Sequence, residues 1–369
     1  MDFDLTDEQV MLRDTTRDLL SRSYDAESRT KVADTDLGWS REVWNRLADT
    51  GILGIGADAT QLEVALVLVE FGRMLAPEPL VHAVLAPASL IAEAGTAAQR
   101  ELADEAAAGT RLLAFAHLEP GMRTATAAIT TSAEPQGDSW VLTGHKNPVL
   151  AGDCAQTAIV SAALPDGGTG LFLVDVTDGS AAVTRRPYRT FDGRRGAEIV
   201  LDHATAEPLG DFADASGAIA RTVIRIQSAL CAEAVGAMDE ALRLTTEYLK
   251  TRKQFGVTLS TFQTLTQRAA DMYVSLELAR SMNLYAAMSI ADGTFDPLIA
   301  ARAKLQVGRS ARHIAQESIQ LHGGIGVTAE YPVGHYAARL TAIEHTAGTS
   351  QDQLHVLIDR IGDYGIVTL

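Results

Sequence analysis

The spacing of the apolar residues changes twice along this chain of 369 residues, and this change limits the fold more than any other feature. Residues 1 to about 110 have helical spacing, from about 112 to 206 the period shortens to two, and from about 214 helical spacing returns. Thr6 and Gln9 stand in the positions of a capping box, and Asp296-Pro297 starts a long helix. The sequence therefore predicts an α+β fold with a helical domain at 1–111, a middle β-sandwich or barrel domain at 112–212 and a C-terminal four-helix bundle at 213–369.

Composition narrows the classes of partner and compartment. The net charge of -16 argues against nucleic acid or an anionic membrane as the main partner. Two cysteines, Cys154 and Cys231, are too few for a disulfide framework, and the acidic N-terminus is the opposite of a signal peptide. No apolar run approaches the ~18 residues that span a bilayer, and the histidines show no metal-ligand spacing. We expect a cytoplasmic protein without a metal.

The glycine-rich stretch "LHGGIGVTAEYPVG" (321–334) has several interpretations. Gly324 and Gly326 could begin a dinucleotide fingerprint, but that motif must follow a strand, and here it follows a helical pattern. An esterase oxyanion loop would need a nucleophile elbow, and the sequence contains none. The remaining interpretations are a helix C-cap with Gly323 left-handed, or a tight turn on which a ligand lies.

Three further stretches have turn or helix-end character. "EHTAGTSQDQ" (344–353) predicts a turn and a helix capped by Thr349 or Ser350, where free N–H groups suit an anion or a polar cofactor. In "YLKTRKQFGVTLSTFQ" (248–263), Arg252 lies where a helix dipole alone favours a cation. "LAFAHLEPG" (113–121) opens the β region with a turn signal.

These pieces, in this order, resemble the acyl-CoA dehydrogenase family over essentially the whole chain. The motifs are "RKQFG", then "FQ", then "QLHGGIG" with "EYPV", then "GTSQ". The chain looks most similar to the small subunit of two-component, pimeloyl-CoA-type enzymes. It is also similar to actinobacterial homologues that act on thioesters of sterol side chains and rings.

The resemblance implies FAD as cofactor and α,β-dehydrogenation of an acyl-CoA thioester. In the family a carboxylate removes the α-proton while the β-hydrogen leaves as hydride to the flavin, and hydrogen bonds polarise the thioester carbonyl. Two subunits share each FAD: one holds the ring, and the neighbour's bundle holds the pyrophosphate and adenine end. The implied partners are the acyl-CoA substrate, a homologous subunit in an α2β2 assembly and an electron-transfer flavoprotein.

The neighbour-facing half of the family's FAD site is intact in this sequence. Arg252 matches the pyrophosphate arginine, a charge-assisted contact, and Phe255 and Gln263 match its flanking contacts. The glycine-rich turn and the nucleotide-contacting segment complete the implied cofactor set, which comprises Gln320, Leu321, His322, Gly323, Gly324, Thr349, Ser350 and Gln351.

The flavin-facing half departs from the family pattern. The hydroxyl residue expected before Glu119-Pro120-Gly121 is Leu118, and the second flavin-facing segment is Pro148-Val149-Leu150. Two hydroxyl donors to the ring are thus replaced by leucines. Each buried flavin acceptor left unpaired would cost about 1–3 kcal/mol.

The family's catalytic base is also missing. Its usual position before "GTS" is Ala347, and an alternative family position on the first bundle helix is Ile226. The nearest carboxylates are Glu344 and Glu233. Without a catalytic role, Glu233 would be a helix-flank charge paired with an arginine such as Arg225 or Arg268, and Glu344 a solvated or interface charge. The sequence therefore favours a cofactor-binding loop that has lost its base, in one subunit of a heterotetramer. A homotetramer with a relocated base and a non-catalytic scaffold are the alternatives.

Overall fold

The computed structural model describes residues 5–137, 139–177, 181–210 and 214–363 of the chain. These residues fall into two compact units. The first, here the bundle unit, comprises Met1–Ala26, Gln61–Ala76 and Gln227–Leu369; the second, the sheet unit, comprises Glu27–Thr60 and Pro77–Ile226. The predicted domain ranges 1–111, 112–212 and 213–369 follow chain order and stay predictions.

The described residues form α-helices that we number in chain order. They are α1 (Asp7–Ser23), α2 (Ala26–Ala33), α3 (Arg41–Asp49), α4 (Ile55–Asp58), α5 (Gln61–Met74), α6 (Ala86–Ala94), α7 (Arg100–Ala107), α8 (Ser216–Thr251), α9 (Gln263–Ala291), α10 (Pro297–His322), α11 (Val333–His345) and α12 (Ser350–Asp359). A π-helical turn, Val81–Leu85, leads into α6.

The helix ends follow from local side-chain chemistry. Thr6 and Gln9 form the predicted reciprocal capping box at the start of α1. Asp296 accepts a hydrogen bond from Leu298 N–H and Pro297 occupies the first turn of α10, as predicted. Thr349, one of the two predicted caps, is the N-cap of α12.

Two glycines allow α5 and α8 to touch through their backbones inside the bundle unit. A β-carbon on Gly72 would lie 1.8 Å from the carbonyl oxygen of Glu233, and one on Gly236 would lie 1.8 Å from that of Val69. The contact is reciprocal, since each helix contributes a glycine that faces a carbonyl of the other. Neither position tolerates a side chain without separating the helices.

The strands are also numbered in chain order. They are β1 (Leu113–Ala116), β2 (Ser132–Gln136), β3 (Ser139–Leu150), β4 (Thr157–Ala163), β5 (Thr169–Asp175), β6 (Val183–Arg189), β7 (Arg195–Pro208), β8 (Lys253–Gln254) and β9 (Val257–Thr258). The last two form a hairpin between α8 and α9.

Pairing among the strands of the sheet unit closes on itself. The strand order of the sheet is β1-β4-β2-β3-β7-β5. Strand β5 also pairs with β4 along its whole length, and β6 pairs with the first half of β7. The cycle β4-β2-β3-β7-β5 encloses apolar side chains, including Ala158, Val160, Phe172 and Ile199, which are fully buried. The α+β class, with N-terminal helices, a central sheet and C-terminal helices, is confirmed.

Candidate functional site

The predicted pyrophosphate region lies at the junction of α8, the β8–β9 hairpin and α9. Arg252 directly follows α8, and its N–H donates to the Tyr248 carbonyl at 2.8 Å. Phe255 sits at the hairpin turn with a left-handed backbone (φ 54°), and its side chain is 91% exposed. Gln263 starts α9, and the side chains of Arg252 and Gln263 are exposed. A bulky residue held at positive φ with its ring in solvent stores strain that typically serves binding.

The glycine-rich turn follows α10, as the sequence predicted, so the dinucleotide fingerprint has no strand before it. Gly323 ends the helix at φ 64°. A β-carbon added to Gly323 or Gly324 would meet no atom within 4 Å among the described residues. Gln320 is exposed, whereas Leu321 and His322 are buried. The open face of this turn is therefore made of Gln320 and the two glycine backbones.

The buried side chain of His322 stabilises the glycine-rich turn. Its Nδ1–H donates to the Ser318 carbonyl at 2.7 Å, and its ring packs on Tyr248 and Tyr331 at 4.5 and 4.8 Å between centroids. Burial lowers its pKa, so the imidazole is neutral at physiological pH. Nε2 is then an acceptor, and it has no hydrogen-bond partner within the described ranges.

The turn before α12 differs from the expectation of free N–H groups. Thr349 N–H donates to Asp352, whose own N–H donates to the Thr349 hydroxyl. Ser350 is buried, and both its N–H and its hydroxyl donate to Glu344, at 2.8 and 2.9 Å. Of the predicted nucleotide contacts in this segment, Gln351 is the one with an exposed side chain. A helix N-terminus favours an anion, and at α12 the carboxylates of Glu344 and Asp352 already fill this role.

Both candidate bases are held in internal ion pairs. Glu344 is 3% exposed, so the expectation of a solvated or interface charge is wrong; besides Ser350 it accepts from Arg312 at 3.4 Å. Glu233 is 4% exposed and binds Arg339 through both carboxylate oxygens, at 2.7 and 2.8 Å. Glu233 is thus paired with an arginine, as expected, but the partner is Arg339, whereas the suggested partners were Arg225 and Arg268. Those two arginines bind Glu93 and Glu317 instead.

The base position itself has an unusual backbone. Ala347 has φ 58° and Gly348 has φ 93°. The Ala347 carbonyl accepts from Gln227 Nε2 at 2.9 Å and from Gln353 Nε2 at 3.4 Å. Left-handed geometry is unfavourable for alanine, and these bonds hold it in place. The turn is thus held in a defined shape although no carboxylate stands on it.

In the sheet unit, the two segments predicted to face the flavin lie beside a buried ion pair that sequence reasoning missed. Lys146 is fully buried and donates to Glu119 at 2.8 Å, to the His117 carbonyl at 3.1 Å and to Ser161. Glu119 also accepts from the N–H and hydroxyl groups of Thr130 and Thr131. The alternation of side chains along β3 could have predicted that Lys146 is buried, because it lies an even number of residues after the buried Leu142.

The charges of this cluster are set by burial and by its hydrogen bonds. Burial opposes ionisation of Glu119, but donors from Lys146 and the two threonines outweigh it and hold its pKa well below the usual range. Burial lowers the pKa of Lys146 to about 8, against the pull of Glu119. His117 Nε2–H donates to the Ala125 carbonyl, and Nδ1 pairs with Ser161, so its ring is fully engaged. The His117 side chain therefore does not replace the hydroxyl donor that the family pattern has at the position of Leu118.

Leu118 and Leu150 lie on segments that this cluster orders. The Leu118 carbonyl accepts from Asn147 N–H at 2.8 Å, and both leucine side chains are half-buried. Val149, directly before Leu150, is fully buried, and Pro148 is exposed. Their side chains carry no hydrogen-bonding group. The segments are well ordered but chemically different from the hydroxyl-bearing family pattern.

Comparison with known proteins identifies the family. Residues 6–108 match the acyl-CoA dehydrogenase N-terminal domain, and residues 208–362 match the acyl-CoA dehydrogenase C-terminal domain. The acyl-CoA dehydrogenase IpdE2 of Mycobacterium tuberculosis is 30% identical over 345 residues, which are 90% of this chain and 91% of the relative. The chain therefore belongs to the acyl-CoA dehydrogenase family, whose members are flavin-dependent oxidoreductases, and FAD is its cofactor.

Two solved structures extend the comparison to assemblies of two different chains. A variant of the steroid ACAD Tcur3481-Tcur3483 is 31% identical with a TM-score of 0.88, and the match covers 96% of this chain and 98% of that one. The ChsE4-ChsE5 complex from Mycobacterium tuberculosis has a TM-score of 0.88 over 99% of this chain and 100% of that one. At 24% identity the second match shows the fold alone. The resemblance to the two-component type is confirmed as a similarity.

The two halves of the implied FAD site fit the cofactor differently. The pyrophosphate and adenine half has exposed side chains at Arg252, Phe255 and Gln263, and the open backbone of Gly323-Gly324. These groups can donate to phosphate and stack on a ring. The flavin-facing segments offer the half-buried Leu118 and Leu150, which donate nothing. The described side chains therefore offer hydrogen-bond donors at the predicted pyrophosphate end and none at the two leucines.

The described residues carry two further negative findings. No helix in the described ranges is both long and apolar enough to cross a membrane. The same residues contain no group of three histidine, cysteine, aspartate or glutamate side chains arranged to hold a metal ion.

Proposed function

We propose that this chain is the base-lacking subunit of a heteromeric, FAD-dependent acyl-CoA dehydrogenase of α2β2 composition. One observation carries the proposal: Ala347 occupies the expected base position, and the two candidate carboxylates are buried and already bound. Glu344 is held by Ser350 and Arg312, and Glu233 is held by Arg339. A general base needs a carboxylate that reaches the substrate proton. Neither carboxylate meets that requirement without breaking its own contacts.

The division of labour in this proposal follows from what each part of the chain offers. Arg252, Phe255 and Gln263 bind the pyrophosphate and adenine end of an FAD whose ring lies in the partner subunit. Bound FAD supplies the hydride acceptor, and the partner supplies the base and the hydroxyl donors to the ring. One active site per heterodimer leaves room for a bulky acyl group, and the similarity to the steroid ACAD Tcur3481-Tcur3483 favours a polycyclic thioester. An electron-transfer flavoprotein would reoxidise the cofactor.

The proposal is tested by colour and stoichiometry. Co-expression with a homologous subunit that retains the base and the flavin-facing hydroxyl groups should give a yellow complex with one FAD per heterodimer, whereas the chain purified alone should be colourless. A yellow homomer with one FAD per chain and acyl-CoA-dependent dye reduction would overturn the proposal in favour of a homotetramer. A complex that stays colourless with every such homologue would favour a scaffold.

Arg252→Ala is expected to weaken FAD retention in the assembled enzyme by about ten- to hundredfold. Hydrogen bonds to charged groups contribute roughly 1.5–3 kcal/mol each, and a phosphate contact is of this kind. Arg186→Ala is the control, because Arg186 is an exposed arginine that pairs with Glu198 on the sheet unit. FAD per protomer after gel filtration gives the comparison. Equal retention in the two variants rejects the assignment of Arg252.

Glu344→Gln and Glu233→Gln are expected to keep turnover per bound FAD close to the parent value. A true general base contributes roughly 10²–10⁴-fold to the rate, so its loss could not be hidden. Turnover is measured by dye reduction and divided by flavin content, which separates chemistry from cofactor loss. A drop of that size in either variant would show that this chain supplies the base.

A further inference from the structure

We propose that Glu344 is a positioning residue, an internal anion at the N-terminus of α12 that holds the turn 346–349 in shape. The proposed function enters at one point, the assignment of Gln351 beside this turn to the nucleotide of FAD. The contacts that hold the anion all lie within the bundle unit.

The carboxylate of Glu344 occupies the place where a helix N-terminus attracts an anion. Oε1 accepts from Ser350 N–H at 2.8 Å, and Oε2 accepts from the Ser350 hydroxyl at 2.9 Å. Ser350 is the first residue of α12, so its N–H is one of the groups that the helix leaves unpaired. Arg312 adds a third donor at 3.4 Å from a largely exposed side chain.

Gly308 makes room for this carboxylate. A β-carbon at Gly308 would lie 2.1 Å from Glu344 Oε2 and 2.4 Å from Ser350 Oγ. Gly308 lies inside α10, where glycine costs about 1 kcal/mol relative to alanine. A glycine at this position is explained by the pair that it accommodates.

Lys304 holds the other side of the same junction. It is 1% exposed, and its Nζ donates to the carbonyls of Ile343 at 2.7 Å and Glu344 at 3.4 Å. These carbonyls belong to the last turn of α11, where a cation is favoured. The ammonium therefore anchors the end of α11, and the Glu344 side chain anchors the start of α12. Between them the chain must turn within the few residues that include left-handed Ala347.

The consequence for binding is that α12 has no anion site left for a ligand. A phosphate at Ser350 would have to displace a buried carboxylate that already satisfies both donors. The segment can then contact a nucleotide through the exposed Gln351 side chain, with its backbone held rigid from behind. Positioning, and not proton transfer, accounts for a buried glutamate three residues before the empty base position.

The test compares backbone exchange in the turn with flavin content. In Glu344→Ala and in Gly308→Ala, amide hydrogen exchange in a peptide covering 344–353 should accelerate about tenfold or more. Glu317→Gln is the control, because it also removes a carboxylate that pairs with an arginine, and Glu317 of α10 binds Arg268 of α9 instead of the turn. Formate at millimolar concentration should slow exchange again in Glu344→Ala, by filling the vacated anion position, and formamide should not.

Each outcome decides the proposal. Unchanged exchange in both Glu344→Ala and Gly308→Ala overturns it, and so does equal rescue by formamide, since the charge would then be irrelevant. If Glu344→Ala does not fold, Glu344→Gln and Gly308→Ala carry the same comparison. Faster exchange with formate rescue supports it whatever the flavin content. In that case unchanged FAD per chain in the assembled enzyme would reject the role of Gln351 in the proposed function and leave the positioning role standing.

Discussion

Replacement of Lys146 with methionine is expected to destabilise the sheet unit by about 3–5 kcal/mol. The ammonium is fully buried and is the counter-charge of Glu119, which is 5% exposed. Removing it leaves a buried carboxylate without its ion pair and leaves the His117 carbonyl without a donor. Urea unfolding followed by the fluorescence of Trp140, which lies on β3, measures the loss.

A second substitution separates charge from packing. Lys146→Met combined with Glu119→Gln should recover a large part of the lost stability, because the uncompensated charge is gone while the threonine donors still find an acceptor. Glu119 also determines the direction in which the stability of the sheet unit changes with pH. Its pKa is held low in the folded state, so its contribution is present above its ordinary value near 4.3 and is lost as the pH falls below it. A loss of less than 1 kcal/mol in Lys146→Met would contradict this account.

Gly236→Ala is expected to destabilise the bundle unit by about 3 kcal/mol, at the upper end of what overpacking costs. The new methyl group would overlap the Val69 carbonyl, which is backbone and cannot rotate away. The helices α5 and α8 must then move apart, which loosens every contact between them. Thermal unfolding of the variant measures the effect as a fall in the melting temperature.

Because the contact is reciprocal, we can also predict how substitutions at the two glycines combine. Gly72→Ala should cost a similar amount alone, but the double variant should cost less than the sum, because the first methyl has already separated the helices. Gly217→Ala in the same helix is the control, since its β-carbon meets only the guanidinium of Arg221 at 3.4 Å. That change should be neutral or stabilise by up to ~1 kcal/mol. Simple additivity of Gly72→Ala and Gly236→Ala would mean that the glycines do not share one contact.

Periodicity predicted the fold class because each element satisfies its own hydrogen bonds and buries one face. The helical spacing that returns near residue 214 became α8, α9 and α10, and Thr6, Asp296 and Thr349 cap helices as predicted. These features depend on residues within four positions of each other. The family resemblance then supplied the cofactor, which no local pattern encodes.

The partners of the buried charges could not be predicted in the same way. Glu233 binds Arg339, which is 106 positions away, whereas the sequence analysis considered Arg225 and Arg268. Glu344 binds the nearby Ser350, but it is buried because Gly308 on another helix leaves the space. Such pairings are properties of packed helices and are set after local structure forms. For the same reason the turn before α12 looked open in sequence and is closed in the structure.

The closed strand cycle of the sheet unit bears on how the protein avoids aggregation. Within the described residues, β6 has β7 as its neighbour and leaves its other side unpaired. It carries Arg185, Arg186, Pro187 and Arg189, and charged residues and proline are what natural edge strands use to prevent pairing with another chain. This arginine-rich run in an acidic protein is therefore accounted for as edge protection. Replacing these residues with β-branched ones would create an aggregation-prone edge strand on a unit whose other strands largely pair with one another.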